Sequence, residues 1–222
     1  KTQFKVALDV PLLVGRFEVT RRDWGRVFGH LPEGAPPCAD DCPVTKVNFF
    51  DAVAYCNARS KKDKLPECYE MSNCRGSRGE GGMQCAKVSM KSSQCSGYRL
   101  PTAGEWDFLA AIAHPKGLDA ALLDHIAWHQ GNGQRRLHPV GSLDQDSLGL
   151  HDLIGNAGEW VDPWAASKAR PKDADIERNT LIPVRGGSAW TAFDNGGSVE
   201  DSKEFAEVPD ASTGFRLVRT VP

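Results

Sequence analysis

The sequence predicts an α+β fold in which a few helices pack on short antiparallel strands and much of the chain is irregular loop. Helical apolar spacing recurs after residues suited to N-capping, and short alternating apolar runs typical of strands lie elsewhere. The chain contains 22 glycines and six tryptophans, a mixture that favours long irregular segments held by buried aromatic side chains over a helix bundle. We expect residues 1–222 to form one domain with a sizeable core.

The regular elements are predicted from caps and apolar spacing. Residues 1–19 alternate in apolar character around a proline and are predicted to form strands. Thr20 and Asn48 are suited to cap the first two helices. Thr102 is followed three residues later by Glu105, the spacing of a capping box, and this pair predicts the start of a third helix. Because the box accounts for Glu105, we do not interpret it as a catalytic acid.

Two long stretches are predicted to be irregular. Residues 61–97 are dense in Lys, Gly, Ser and Cys, a composition that buries too little apolar surface to become ordered without covalent links. We expect a disulfide-linked hairpin or loop, inserted in the domain. Within it, Gly79–Gly82 is predicted to be a turn rather than a phosphate-binding loop, because no helical pattern follows. Residues 121–143 are predicted to run through loop and short strand.

Six of the seven cysteines lie in loop-like sequence: Cys38, Cys42, Cys68, Cys74, Cys85 and Cys95. No Cys-x-x-Cys pair or suitably placed His accompanies them, so we expect up to three disulfides rather than a zinc site. Many pairings are open; a local Cys38–Cys42 bridge is expected, with the other four linking the insertion. Cys56 lies in a helical pattern and is predicted to be a buried free thiol. Disulfides indicate an oxidising compartment, so the chain is predicted to be periplasmic or secreted.

Charge and hydropathy argue against two classes of interaction. The formal net charge is −2, so the sequence offers no broad basic surface for nucleic acid or an anionic membrane. No apolar run approaches the roughly 18 residues that a membrane-spanning helix needs. We therefore predict no nucleic-acid partner and no transmembrane segment.

The stretch Gly149–Trp160 places two acidic residues, Asp152 and Glu159, on either side of a turn-prone run, Gly155–Gly158. Such a turn can direct carboxylates and backbone carbonyls at one point, the mixed oxygen ligands that calcium takes. The spacing is not that of an EF-hand. The alternative is a loop that closes over Trp160 with both carboxylates solvated.

Four motifs follow one another along the chain: Gly15–Thr20, Tyr98–Trp106, Gly149–Trp160, and Arg185–Trp190 followed by Gly214–Arg216. In this order they resemble the formylglycine-generating enzyme (sulfatase-modifying factor) family, over about residues 14–218. The resemblance implies the formylglycine-generating-enzyme fold, whose core is C-type lectin-like. Function is a separate question, because one fold hosts many activities.

The resemblance also implies a structural calcium ion on the glycine-rich turn. The matching ligands are the Asp152 side chain, the carbonyl oxygens of Gly155 and Ala157, and the Glu159 carboxylate. Asp152 stands where catalytic members of the family have asparagine; the change keeps an oxygen ligand and adds a charge. We therefore expect it to strengthen cation binding. The family's second calcium site, near residues 125–133, is expected to be lost.

The family's oxidation chemistry is not expected in this chain. In the family that this chain resembles, a copper-dependent oxidation uses two cysteines. Here, Thr191 and Gly196 occupy the positions of these cysteines, and no cysteine follows Cys95. A hydroxyl group cannot replace a thiolate as a soft ligand for Cu(I). Leu217 likewise replaces a cysteine of a family disulfide, which agrees with a free Cys56. We therefore predict a pseudoenzyme without formylglycine-generating activity.

The leading hypothesis is a non-catalytic binding or regulatory module that acts through protein–protein interaction in the cell envelope. The segment Trp190–Ser212 is strongly acidic and favours a basic protein or peptide partner, unless it is a plain solvated loop. Candidate contact residues are Trp190, Thr191, Asp194, Asn195, Glu200, Asp201 and Phe205. Some relatives without the cysteines resemble accessory regulators of the type VI secretion system. The specific hypothesis is an upstream activator that binds the periplasmic part of a membrane Ser/Thr kinase controlling type VI secretion.

Two alternatives belong to other functional classes. The first is an oxidoreductase-type enzyme that uses a different metal or nucleophile in the family pocket; its candidate residues are Trp190, Thr191, Asp194 and Asn195. The second is a carbohydrate-binding, lectin-like domain. The Glu-Pro-Asn and Gln-Pro-Asp triplets of C-type lectin sugar sites do not occur in the sequence, which weighs against it.

Overall fold

A computed structural model describes residues 10–114, 117–163, 176–177, 179–193 and 202–221. These ranges contain four helices and eight short strands, which confirms the predicted α+β class. The helices are α1 (Arg21–Phe28), α2 (Phe49–Lys62), α3 (Ala103–Ala113) and α4 (Ala120–Ile126). The strands are β1 (Leu12–Val14), β2 (Tyr69–Ser72), β3 (Lys87–Met90), β4 (Gly158–Trp160), β5 (Leu181–Arg185), β6 (Ser202–Phe205), β7 (Thr213–Gly214) and β8 (Val218–Thr220).

The strands form three small sheets. The first joins the two ends of the described chain, because β1 pairs with β8 and Leu12 lies opposite Thr220. The second is the β2–β3 hairpin. The third has the order β6-β5-β4-β7, and its β4–β7 pair is parallel, whereas short antiparallel strands were expected. The strand predicted before residue 10 lies outside the described residues.

The predicted helix starts are confirmed. Thr20 accepts a hydrogen bond from the Asp23 N–H, and Asn48 caps α2 in the same way. The Thr102–Glu105 capping box is complete. Glu105 also forms an ion pair with Arg99 at 2.7 Å, a second structural role for this carboxylate.

Helix α4 corrects the prediction of loop and strand over residues 121–143. Asp119 caps it by accepting a hydrogen bond from the Leu122 N–H at 2.8 Å. Leu123 and Ile126, three residues apart, are its buried side chains. The helix has only seven residues, so packing of these two side chains rather than intrinsic propensity stabilises it.

In the described structure, aromatic side chains lie at the centre of the larger of two apolar clusters. The Trp24 ring stacks on Tyr55, with ring centroids 5.3 Å apart, and Phe215 packs edge-on against both. The smaller cluster forms around α3, where Trp106 packs with Leu153 and other apolar side chains. In the described ranges, no helix has the length and apolar character required to cross a lipid bilayer.

Three disulfides are present, as predicted: Cys38–Cys42, Cys68–Cys95 and Cys74–Cys85. The first is the expected local bridge, and the other two link the hairpin region. Cys56 is free and buried, and its burial raises the pKa of the thiol. Disulfides of this number are typical of proteins in an oxidising, extracytoplasmic compartment.

The tip of the hairpin region packs into the core, in addition to the disulfide links that its composition predicted. The Trp24 indole N–H donates to the Gly79 carbonyl at 3.2 Å, and the Asn48 amide donates to the Met83 carbonyl at 2.7 Å. Gly81 has φ of +90°, and a Cβ there would lie 2.2 Å from the Lys46 carbonyl oxygen. Only glycine allows this close approach.

Candidate functional site

A buried ion pair lies beside the glycine-rich turn. The Glu159 carboxylate accepts hydrogen bonds from Arg216 Nε at 2.7 Å and from the Trp106 indole N–H at 2.8 Å. Glu159 and Arg216 are both fully buried. Arg216 also donates to the carbonyls of Gly15 and His151, at 3.1 and 3.0 Å. The first, second and fourth motifs of the sequence therefore meet the turn at one point.

Glu18 holds the turn from its other side. Its carboxylate accepts hydrogen bonds from the Ala157 N–H and from the Asn156 side-chain amide, both at 2.8 Å. Burial raises the pKa of Glu18 well above its ordinary value, and the nearby charges of Asp152 and Glu159 raise it further. Sequence reasoning did not select Glu18, although its place in the first motif was a signal.

Asp152 has an oxygen atom without a protein partner. The residue is 2% exposed and has φ of +54°. One carboxylate oxygen accepts a hydrogen bond from the Gly141 N–H at 2.7 Å, whereas Oδ1 is buried and unpartnered among the described residues. Burial raises the pKa of this carboxyl group.

The two predicted carbonyl ligands also lack a hydrogen-bond donor among the described residues. Within the described part of the chain, neither the Gly155 nor the Ala157 carbonyl oxygen accepts a hydrogen bond. Gly155 has φ of +81°, and a Cβ there would lie 2.3 Å from the Trp128 carbonyl oxygen. Glycine is therefore required for the turn to pack against Trp128.

Three oxygen atoms at the turn are of the kind that a hard cation binds. Asp152 Oδ1 and the two carbonyls offer free lone pairs, and the three carboxylates of Glu18, Asp152 and Glu159 face a single guanidinium group. Glu159 could contribute only the lone pairs that Arg216 and Trp106 leave open. Among the described residues, no group of three or more His, Cys, Asp and Glu is placed to hold a metal. Carbonyl ligands are therefore essential to a site here.

The region of the expected second calcium site is held by protein contacts. The Asn132 side chain accepts a hydrogen bond from the His129 N–H and donates to the Ala127 carbonyl. The His138 ring hydrogen-bonds the Gly133 carbonyl at 2.9 Å and stacks on Trp128, with centroids 3.8 Å apart. These polar groups are thus bonded to the protein itself.

Thr191, at the position of the first family cysteine, closes a turn. Its hydroxyl oxygen accepts a hydrogen bond from the Ser188 N–H at 2.9 Å, and its own N–H donates to the Ser188 carbonyl. His129 Nε2 lies 2.9 Å from an Asp124 oxygen, and its Nδ1 accepts a bond from the Gly131 N–H. In the described structure, neither the Thr191 nor the Ser188 hydroxyl hydrogen-bonds a His that could activate it as a nucleophile.

The predicted contact residues fall into two groups. Trp190 is half-buried and follows the Ser188 turn, with Thr191 beside it. Phe205 lies instead on β6, opposite Leu181, and is 46% exposed. The other four predicted contacts lie outside the described residues: Asp194, Asn195, Glu200 and Asp201.

Comparison with known proteins agrees with this architecture. The family described as the sulfatase-modifying factor enzyme 1-like domain matches residues 5–221. A relative named "Chaperone protein LppX", from Paenibacillus barcinonensis, is 28% identical over 233 residues, which cover 93% of this chain and 79% of that protein.

Solved structures show the same fold. Treponema denticola variable protein 1 aligns with a TM-score of 0.73 at 24% identity, over 95% of this chain and 84% of that one. PvdO from Pseudomonas aeruginosa aligns with a TM-score of 0.66 at 17% identity, over 97% and 83%. With the motif order and the match over residues 5–221, the chain belongs to the sulfatase-modifying factor enzyme 1-like domain family.

Proposed function

We propose that this chain is a non-catalytic module of the cell envelope that acts by binding a protein partner. The observation that carries the proposal is the residue at position 191: a threonine, whose hydroxyl oxygen accepts a hydrogen bond from the Ser188 N–H, stands where the family reaction uses a cysteine. The name of the LppX relative, a chaperone protein, supports a protein-binding role. The three disulfides support a periplasmic or secreted location.

The more specific form of the proposal is an upstream activator of a membrane Ser/Thr kinase that controls type VI secretion. Its support is the resemblance to cysteine-less accessory regulators, together with an acidic C-terminal segment suited to a basic partner. The test is titration of the purified chain with the periplasmic part of such a kinase by calorimetry. Binding at micromolar concentration is expected, and its absence would contradict the kinase proposal.

The proposal includes one structural calcium ion on the turn. Asp152, the carbonyls of Gly155 and Ala157, and a shared Glu159 carboxylate would hold it, and the ion would offset the excess of buried negative charge. Elemental analysis of the purified protein separates this proposal from an enzyme. About one calcium per chain without a transition metal is expected. Copper, iron or zinc at unit stoichiometry would instead favour catalysis near Thr191.

A further inference from the structure

The outer end of the four-stranded sheet carries exposed apolar side chains. Leu181 on β5 and Phe205 on β6 are register partners, with 50% and 46% of their surface exposed. Val208 is 43% exposed, and its N–H donates to the Phe205 carbonyl at 3.0 Å. Single exposed apolar residues are ordinary, but a contiguous group marks an interaction site. We call these three residues the β6 patch.

The patch borders an open strand edge. β6 is the last strand of its sheet, and no other described strand pairs with its outer side. The Ala206 N–H donates to the Thr180 carbonyl at 2.9 Å, and hydrogen bonds alternate along an antiparallel ladder. The N–H and C=O of Lys203 and the N–H of Phe205 therefore point away from β5. Such groups can pair with an added strand.

The two faces of β6 differ in character. Phe205, Leu181 and the Lys203 side chain lie on one face, and Glu204 lies on the other, opposite Ile182. Burial raises the pKa of Glu204, and the charge of nearby Asp210 raises it further. Acidic residues also outnumber basic ones in the flanking described segments, which contain Glu177 and Glu207 as well. A strand added to this edge would thus meet Phe205 and the alkyl stem of Lys203 on one face and the Glu204 carboxylate on the other.

We propose that β6 takes up an extended segment of the protein partner in which apolar and basic side chains alternate. The apolar side chains would contact Phe205, which packs beside Leu181 of β5, and the basic ones would lie on the side of Glu204. This inference rests on the proposed protein-binding function and adds the mode of binding. A second copy of the chain is a poorer occupant, because pairing β6 with β6 brings the Glu204-bearing faces of two copies, with the same sign of charge, side by side.

The probe is a blocked seven-residue peptide that alternates lysine and valine, titrated against the full chain at low salt by fluorescence anisotropy. Matched controls replace lysine by glutamate, or methylate the backbone nitrogens that would pair with β6. Both controls are expected to bind on the order of tenfold more weakly. Hydrogen exchange should slow at the amides of Lys203 and Phe205 when the lysine peptide binds.

Variants of the chain locate the site. Leu181→Ser with Phe205→Ser is expected to weaken peptide binding on the order of tenfold. Glu204→Gln should weaken it and reduce its salt dependence. Leu13→Ser, at a residue that is 53% exposed on β1, is the control and should have no effect.

Three outcomes would overturn the inference. They are no binding of the lysine peptide, binding that leaves the Lys203 and Phe205 amides unprotected, and self-association of the chain through β6. A kinase fragment that binds equally well to the Leu181 and Phe205 variants would overturn the strand-addition mode alone. The proposed protein-binding function would then stand.

Discussion

Burial determines what the Glu159 carboxylate can do. Glu159 and Arg216 have no exposed surface, and the Trp106 indole N–H satisfies the second carboxylate oxygen. Removing one partner of such a pair leaves a charge unpaired in the core, at a cost of roughly 3–5 kcal/mol. The main role of Glu159 is therefore that of counter-ion to Arg216. A cation at the turn would have to share the Glu159 carboxylate with Arg216. The free oxygen of Asp152 is the more open ligand.

Asp152 is the residue at which the calcium proposal is most directly tested. Calcium added to chelator-stripped protein is expected to raise the melting temperature, since a ligand at a hundredfold excess over Kd stabilises the folded state by about 2.7 kcal/mol. Asp152→Ala should remove most of this shift. Asp152→Asn keeps one side-chain oxygen and should retain a smaller one.

The measurement is differential scanning fluorimetry with a calcium chelator and with calcium, and magnesium is the ion control. Magnesium demands a tighter octahedral shell, so a weaker response is expected. A wild-type melting temperature that does not change with calcium would contradict the site.

At the scale of elements, the docking of the hairpin tip on α2 depends on a buried carboxylate. Asp51, in the first turn of α2, is fully buried and accepts a hydrogen bond from the Met83 N–H at 3.3 Å. Burial raises the pKa of Asp51 to about 6. The folded state therefore binds a proton more tightly than the unfolded state does. The free energy of unfolding falls as pH rises from below 4 to above 6, and this loss is complete above the folded pKa.

Asp51→Asn is expected to remove this dependence. A shift of about two pKa units corresponds to roughly 3 kcal/mol, so the variant should gain about that much relative to wild type between pH 4 and pH 7.5. Urea unfolding at both pH values measures the change. Asp119→Asn, at the exposed N-cap of α4, is the control. Equal pH dependence of wild type and Asp51→Asn would contradict the prediction.

The disulfides differ in the length of chain that they close. Cys68–Cys95 spans 27 residues and Cys38–Cys42 spans four. Because a longer loop restricts the unfolded chain more, replacing the Cys68–Cys95 pair by alanine should cost roughly 1–2 kcal/mol more than replacing the Cys38–Cys42 pair. Denaturant unfolding of the two double variants tests the order. A larger loss from the short loop would show that native packing outweighs chain entropy.

For the whole molecule, the features that could be predicted were those that depend on residues close together in the sequence. The Thr102–Glu105 box lies within one helical turn, and the Cys38–Cys42 bridge within a short loop. Motif order likewise indicated the fold. Contacts between residues far apart in the sequence could not be predicted. Nothing in the sequence near Glu18 indicates that its partners are Asn156 and Ala157.

The same limit applies to the charge network. The Glu159–Arg216 pair joins residues of two motifs that are 57 positions apart in the sequence, and periodicity cannot show such a contact. The docking of Met83 on α2 also went unpredicted, because the polar composition of residues 61–97 concealed a few well-placed apolar side chains. The buried charges are therefore paired only when the folded chain brings residues of different motifs together.

The strand β8 joins three distant parts of the described chain. β8 pairs with β1, and Val218 exchanges two backbone hydrogen bonds with Arg99, at 2.9 and 2.8 Å. The Thr220 hydroxyl donates to the Ser93 carbonyl at 3.1 Å, so β8 also contacts the end of the hairpin region. Deleting residues 218–222 is thus expected to lower the melting temperature by roughly 10 °C or more, since each lost kcal/mol shifts it by about 2–4 °C in a chain of this size.

Circular dichroism melting measures this effect, with deletion of Pro222 alone as the matched control. The control should melt like the full chain, because it keeps every β8 contact described above. Near-equal melting of the 218–222 deletion would show that β1 and the Arg99 region are held without β8. In that case, contacts that precede the deletion, among them the buried Glu159–Arg216 pair, would be sufficient to hold the fold.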